Sequence, residues 1–178
     1  LPPGEAHAGL EAASDQLAVA VGQGSDDLVG HRPARGIADA GHEVANHGYH
    51  HQKLHRRGPA YTRLDIALGA EAIDRATGRS PRLFRAPHGF RSPWVTPIAG
   101  SLGQRSVGWT IGLWDSDRPG AAEISRRAVS SATPGTILLL HDGDGGDPMG
   151  DRTQTAEALP EIIGGLRARG YSFVALPA

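Results

Sequence analysis

Residues 41–51 read Gly-His-Glu-Val-Ala-Asn-His-Gly-Tyr-His-His. The apolar residues at the centre of this segment predict a short strand over residues 42–47, ending at a polar turn. His47 and His51 are four positions apart, a spacing that puts two imidazoles on one face of a helical turn. Such a pair can offer two nitrogens to a zinc-like ion. Because the chain has nine histidines, a chance pair is the alternative interpretation.

Strands and helices alternate outward from this segment along the whole chain. Apolar runs bounded by Gly or Pro predict strands over residues 17–21, 42–47, 82–85, 107–114, 136–141 and 171–176. Periodic or well-terminated segments predict helices over residues 33–40, 62–76, 121–131 and 153–169. In the second helix we expect Thr62 to be the N-terminal cap, with Asp65 three residues on. The alternation indicates a single α/β domain over residues 1–178, with a parallel sheet or barrel.

Composition excludes several classes of protein. The chain has 178 residues, 39% of them hydrophobic and 21% charged, and a net charge of -1, so it lacks the basic field of a nucleic-acid-binding protein. The absence of cysteine excludes disulfides, thiolate metal sites and cysteine nucleophiles. No apolar run approaches the length of a membrane span. No signal-peptide pattern is visible, and we interpret a chain that begins at Leu1 as a processed form or a fragment.

Four of the predicted strands end in a residue with catalytic chemistry, namely His47, Arg85, Asp115 and His141. The ends of parallel barrel strands converge on one face, where active sites lie. A buried guanidinium needs a carboxylate partner, and a histidine after an apolar strand can transfer a proton near neutral pH. Taken singly, an exposed arginine before a turn and a core histidine bonded to a carbonyl are open alternatives.

The segment Trp114-Asp115-Ser116-Asp117 adds a second kind of chemistry. A tryptophan can form an apolar platform for the face of a sugar ring, and an adjacent carboxylate can orient a histidine. A core tryptophan followed by a polar turn is the alternative.

Four segments, in this order, resemble the motifs of the polysaccharide deacetylases, the NodB-type or carbohydrate esterase family 4 domains. They are Gly41-His42-Glu43-Val44-Ala45-Asn46-His47 with His51, Phe84-Arg85-Ala86-Pro87-His88-Gly89, Trp114-Asp115-Ser116-Asp117 and Leu138-Leu139-Leu140-His141-Asp142-Gly143. The resemblance extends from about residue 19 to the end of the chain. It implies a distorted (β/α) barrel, a divalent metal for which zinc is the expected ion, and removal of N-acetyl groups from a carbohydrate.

The resemblance also implies roles for individual residues. For the chemistry it implies that His47 and His51 are metal ligands and that the Arg85 guanidinium pairs with the catalytic base. It also implies that His141 is the general acid, oriented by the carboxylate of Asp115 or Asp117. For the substrate it implies the positions Trp114, Leu140, Pro87 and Gly89, the first two lining an acetyl pocket.

One departure from the family pattern bears on activity. The family's first motif is a Thr-Phe-Asp-Asp-Gly-Pro strand that supplies the catalytic base and the third metal ligand, and this sequence lacks it. Asp26-Asp27 stands only about twenty residues before His47, too close to replace it. We therefore expect the barrel to lack its first strand and the chain to be inactive or nearly so. Three explanations of the missing motif are open. The motif lies upstream of Leu1, a loop acid (Asp142, Asp144 or Asp147) substitutes for it, or the protein is not catalytic.

Three functions stay open from the sequence. The chain is a carbohydrate N-deacetylase, a carbohydrate-binding relative without turnover, or a metal-dependent amidohydrolase that acts on a small non-sugar amide. The expected partner is an N-acetylated carbohydrate, and neither nucleic acid nor a membrane span is expected. Family members are often exported or associated with the cell envelope, but the sequence identifies neither the compartment nor the oligomeric state.

Overall fold

The structure is a computed structural model that describes residues 19–21, 28–90, 92–143 and 151–176. The chain order of its strands and helices is β1 (Val19–Val21), α1 (Leu28–Asp39), β2 (Val44–Asn46), α2 (Pro59–Thr77), β3 (Leu83–Arg85), α3 (Val95–Ser101), β4 (Arg105–Val107), β5 (Ile111–Gly112), α4 (Ala121–Ser131), β6 (Leu138–Leu139) and α5 (Thr153–Ala168). This alternation confirms the α/β class. In the described ranges, no helix has both the length and the apolarity that crossing a membrane requires.

The strands pair in parallel in two sheets. The larger sheet has the order β1-β2-β3-β4, and β5 pairs with β6 in a second sheet. A helix lies in each crossover of the larger sheet, as parallel neighbours require. The carboxyl ends of β2 and β3 are therefore adjacent, which brings residues 46–51 next to residues 85–89. Since the two sheets share no strand pair within the described residues, barrel closure and the lack of a first strand stay predictions.

Two apolar clusters hold these layers together. The first packs β3 against α2 and α3 and consists of Leu54, Ile66, Phe84, Ala86, Val95, Ile98 and Ala99. The second packs α4 against α5 and consists of Leu113, Ile124, Ala128, Ala132, Ala158, Ile162 and Leu166. Each fully buried large aliphatic side chain contributes about 1.5–3 kcal/mol to folding. The two clusters form the rigid support for the loops that follow β2, β3, β5 and β6.

Two predicted strands differ from the structure. The strand predicted over residues 107–114 is interrupted, because the Thr110 hydroxyl bonds both backbone polar groups of Ile137, and β5 then turns to pair with β6. The strand predicted over residues 171–176 is wrong, since the structure gives that segment no strand pairing. Its aromatic rings instead pack on the cluster between α4 and α5, and the Tyr171 hydroxyl donates to the Ala132 carbonyl at 3.1 Å.

The start of α2 also differs from the prediction. The helix begins at Pro59 with Gly58 as its N-terminal cap, because proline at the first helical position has no N–H group to leave unpaired. Thr62 and Asp65 therefore lie inside the helix, where both are buried. The predicted capping pair is wrong, and the Asp65 carboxylate is free to bind elsewhere.

Gly69 marks the closest approach of α2 to the end of β2. A Cβ atom at Gly69 would overlap Asn46 Oδ1 and lie 3.0 Å from the carbonyl carbon of Gly48. Gly164, which also lies inside a helix, is exposed and would place its Cβ atom in open space.

We expect Gly69→Ala to lower the free energy of unfolding by about 1–3 kcal/mol, because overpacking outweighs the better helix propensity of alanine. The control Gly164→Ala is expected to raise it by about 0.5–1 kcal/mol, because alanine reduces the entropy of the unfolded chain. Urea unfolding followed by circular dichroism measures both. Similar stabilisation by the two substitutions would contradict the close packing of α2 on β2.

Candidate functional site

His47 follows β2 directly, and its ring is held by the neighbouring strand. Its Nδ1 atom lies 2.6 Å from the carbonyl oxygen of Arg85. Because a carbonyl can only accept, Nδ1 carries the proton and Nε2 keeps its lone pair. Burial, which is the largest cause, and the positive charge of Arg85 together lower the pKa of His47 to about 3, against the opposing effect of the bond to the Arg85 carbonyl. His47 is therefore a neutral imidazole with one nitrogen available as a ligand.

His51 lies beside His47 at the end of the same turn. The ring centroids of His47 and His51 are 5.0 Å apart, and the ring of His88 lies 4.7 Å from that of His51. Burial lowers the pKa of His51, and the positive charges of His88, Arg85 and His141 lower it further. The structure thus brings the two predicted metal ligands together and adds His88, which the sequence presented only as part of a motif.

The buried side chain of Asn46 fixes the start of this turn. Its amide nitrogen donates to the Ile66 carbonyl at 2.8 Å and to Gln104 Oε1 at 2.9 Å. Its Oδ1 atom accepts the backbone N–H of Gly48 at 2.9 Å. Because an unpaired buried amide is costly, these bonds hold the end of β2 against α2 and against the residue before β4.

Arg85 ends β3 and lies between the histidines and the loop after β6. Its Nε atom is buried and has no hydrogen-bond partner among the described residues. Burial lowers the pKa of Arg85, while the negative charge of Asp142 raises it. The loop acid Asp142 is therefore close enough to interact with Arg85. The other two possible substitutes, Asp144 and Asp147, lie outside the described residues, as do Asp26 and Asp27, which the sequence places too close to His47.

Buried Asp115 and partly exposed His141 form a pair at the ends of the second sheet. Asp115 Oδ1 lies 2.8 Å from His141 Nδ1, and Oδ2 accepts the backbone N–H of His141 at 2.8 Å and the Thr155 hydroxyl at 3.1 Å. Burial raises the pKa of Asp115, but these hydrogen bonds and the charge of His141 outweigh it, so the pKa is below its usual range. The alternative partner, Asp117, is exposed. Of the two carboxylates, the structure brings Asp115 to His141.

The predicted substrate-binding residues have different surroundings. Trp114 is 68% exposed, and Leu140 packs partly buried on the cluster between α4 and α5. Pro87 is fully buried and packs near Gly48, so it supports the turn, and its contact with a substrate stays a prediction. Gly89 lies against a residue that the sequence did not single out, because a Cβ atom there would overlap the Trp109 ring.

Trp109 and Gly89 line a cleft of about 100 Å³ beside Arg85, completed by Ala86, Val107 and Gly108. Gly89 and Trp109 are well separated in the sequence, and no local pattern links them. Their contact was not visible there, because it depends on the interruption of the strand predicted over residues 107–114.

The histidines fit a divalent metal in part. His47 and His51 are imidazoles whose pKa values are depressed, and the His47 ring is oriented by a backbone carbonyl, as metal-binding histidines commonly are. Within the described residues, however, no three His, Asp or Glu side chains are arranged to hold a metal ion. The pair therefore fits as part of a ligand set.

Sequence comparison places this site in a known family. The sequence model of the polysaccharide deacetylase family matches residues 24–107. The chitooligosaccharide deacetylase of Azorhizobium caulinodans is 31% identical over 144 residues, which cover 77% of this chain and 69% of that protein. This chain belongs to the polysaccharide deacetylase family. The motif resemblance is thereby confirmed.

Other proteins similar to this chain include a second kind of deacetylase and a pseudoenzyme. The peptidoglycan-N-acetylglucosamine deacetylase of Bacillus cereus is 33% identical, over 78% of this chain and 63% of that protein. A CE4 family pseudoenzyme from Bacillus anthracis has the same fold with a TM-score of 0.78 at 27% identity, and this chain spans 54% of its length. The family 4 carbohydrate esterase of Streptomyces lividans shares the fold with a TM-score of 0.73 at 23% identity, over 91% of this chain and 93% of that one.

The hydrogen-bonded pair of Asp115 and His141 predicts how stability depends on pH. The pKa of Asp115 is lower in the folded state than in the unfolded state, so its ionised form stabilises the fold above about pH 4. Asp115→Asn is expected to cost about 1–3 kcal/mol at neutral pH, because two N–H groups lose a carboxylate acceptor.

This deficit should shrink as the pH falls through the folded-state pKa of Asp115, since the wild-type carboxylate then becomes protonated as well. Urea unfolding of both proteins from pH 7 to about pH 3 measures it, with exposed Asp117→Asn as the control for the change in charge. A deficit that does not depend on pH would contradict the role of the ionised carboxylate.

Proposed function

We propose that this chain is a metal-dependent hydrolase that removes N-acetyl groups from a carbohydrate, on a distorted (β/α) barrel. One observation carries the proposal. The rings of His47 and His51 lie together with centroids 5.0 Å apart, His47 Nδ1 is held 2.6 Å from the Arg85 carbonyl oxygen, and His141 is close enough to interact electrostatically with His51. Relatives named as deacetylases of chitooligosaccharides and of peptidoglycan N-acetylglucosamine support an N-acetylated sugar as the substrate class.

We assign the metal to His47 and His51, with zinc as the expected ion. The acetyl xylan esterase of Clostridium thermocellum, solved with a cobalt ion, is 27% identical with a TM-score of 0.72 and supports a divalent metal. When bound, such an ion supplies Lewis acidity that polarises an amide carbonyl and activates water. The assignment requires at least one further donor, since catalytic zinc usually has three protein ligands.

His141 is the proposed general acid. Asp115 accepts the Nδ1–H group, which leaves Nε2 to donate a proton. Hydrolysis of the amide forms a bond from the water oxygen to the acetyl carbon and breaks the bond from that carbon to nitrogen. The nitrogen leaves as the sugar amine with the proton that His141 gives, and the acetyl group leaves as acetate. The attacking water loses both of its protons, one of which restores His141 while the other is released to solvent.

A carbohydrate-binding relative without turnover is the second candidate. Two observations favour it: the similarity to the pseudoenzyme of Bacillus anthracis, and the lack of a three-residue metal group within the described residues. A mutant of that pseudoenzyme has restored enzymatic activity, so substitution can return activity to a pseudoenzyme with this fold.

The test is acetate release from N-acetylglucosamine oligomers with added zinc, by this chain and by a form with the family's Thr-Phe-Asp-Asp-Gly-Pro strand added before Leu1. From the sequence we expect this chain alone to be inactive or nearly so, and the effects below are expected of a form that releases acetate. We expect EDTA to abolish release and zinc to restore it. His141→Ala should lower kcat by about 10²- to 10⁴-fold with a smaller change in KM, because proton donation acts in the transition state.

Asp115→Asn should lower kcat as well, because His141 then loses the carboxylate that orients it, whereas Asp117→Asn should leave kcat unchanged. Binding of the oligomers without acetate release by either form, at any zinc concentration, would favour the non-catalytic candidate. Release that survives both EDTA and His141→Ala would contradict the proposal.

A further inference from the structure

A buried carboxylate from α2 binds the turn that carries His51. The Asp65 side chain is 0% exposed. Its Oδ2 atom accepts the backbone N–H of Tyr49 at 3.2 Å, and its Oδ1 atom accepts the backbone N–H of His50 at 3.1 Å. Oδ1 also lies 2.7 Å from Nδ1 of the His50 ring. Three hydrogen bonds therefore reach one carboxylate from the two residues directly before His51.

The turn depends on such an external acceptor. Residues 47–53 belong to no helix or strand, so their N–H groups have no regular backbone partners there. The turn contains two residues in the left-handed region, Gly48 with φ +79° and His51 with φ +53°. A non-glycine residue in that region is strained and persists where the surroundings hold it in place.

The carboxylate also fits tightly against the turn. A Cβ atom at Gly48 would lie 2.6 Å from Asp65 Oδ2, so the backbone approaches the carboxylate as closely as only glycine allows. The donors it accepts come from residues 15 and 16 positions away, across the gap between α2 and the end of β2. Asp65 thus acts on the backbone that sets the direction of the His51 ring.

We propose that Asp65, with His50, is a positioning residue that holds the His51 imidazole in place for the divalent metal. The inference rests on the proposed function, because it assumes that His47 and His51 bind the ion. Neither Asp65 nor His50 is assigned as a ligand. Their part is to fix the backbone between the two histidines, so that the metal does not have to order the turn when it binds.

The decisive substitution is Asp65→Asn, which keeps the size of the side chain but turns one acceptor oxygen into a donor. At least one of the three hydrogen bonds is then replaced by two opposed N–H groups. We expect it to weaken zinc binding to the full chain by about 10- to 100-fold, the usual effect of losing a partner that orients a metal ligand.

His50→Ala should weaken zinc binding less, because both backbone hydrogen bonds remain. His50→Gln should recover part of that loss, because its amide can again donate to Asp65. Such a graded series separates positioning from a general loss of structure.

Two controls lie on the same helix. Asp74→Asn makes the same change of charge at an exposed carboxylate that accepts from the Ser80 hydroxyl. Ile73→Val removes one methylene group from the small core of Ala38 and Val44 and lowers stability without touching the turn. Both are expected to bind zinc with the affinity of the wild-type chain.

The measurements are isothermal titration with zinc and the visible absorption spectrum of the cobalt-loaded protein, which reports the geometry around the ion. The inference predicts weaker zinc binding and an altered cobalt spectrum for Asp65→Asn, and neither change for Ile73→Val. Wild-type affinity and spectrum in Asp65→Asn would overturn the inference alone, with the proposed function intact. A wild-type chain that binds neither metal would overturn both.

Discussion

The side chain of Asn46 is the constraint on which the rest of the site depends. One buried amide bonds a carbonyl of α2, the side chain of Gln104 before β4, and the backbone N–H of Gly48. Because each bond satisfies a polar group that is out of reach of water, none can be given up cheaply. The position of α2 relative to the sheet, and with it the position of Asp65 and the turn at residues 47–51, follows from this one residue. Gly69 is the complement on the helix side, since it leaves the space that the Asn46 oxygen fills.

The site has neutral imidazoles at its centre and hydrogen-bonded carboxylates at its edge. Burial disfavours protonation of both His47 and His51, and the charge of Arg85 adds to this effect on each of them. Asp65 and Asp115 each accept three hydrogen bonds, so both are committed to the chain itself. A neutral imidazole keeps a ring-nitrogen lone pair free, and such lone pairs are the donors that a divalent cation such as zinc binds.

Sequence reasoning found the family, the alternation of elements and the helix over residues 121–131, because these depend on local patterns and on motif order. It could not choose between Asp115 and Asp117, since the choice is made by left-handed backbone at Trp114 and Arg118, and no residue type there signals it. It assigned Asp65 to a helix cap because the pattern of Thr62 and Asp65 is local, whereas the true partners are 15 and 16 residues away. Trp109 was missed for a related reason. Its contact with Gly89 depends on the interruption of the strand predicted over residues 107–114, and that interruption accompanies the pairing of β5 with β6.

Arg85 has two functions that belong to different parts of the residue. Its guanidinium interacts with Asp142, while its carbonyl oxygen, which every amino acid possesses, orients the His47 ring. Because this acceptor belongs to the backbone, replacing the Arg85 side chain removes the guanidinium but keeps the hydrogen-bond acceptor of His47. A relative that has lost the arginine, and with it any pairing to a carboxylate, can still present its histidine in the same direction. In such a lineage the capacity to hold a ligand would outlast the capacity to react with it.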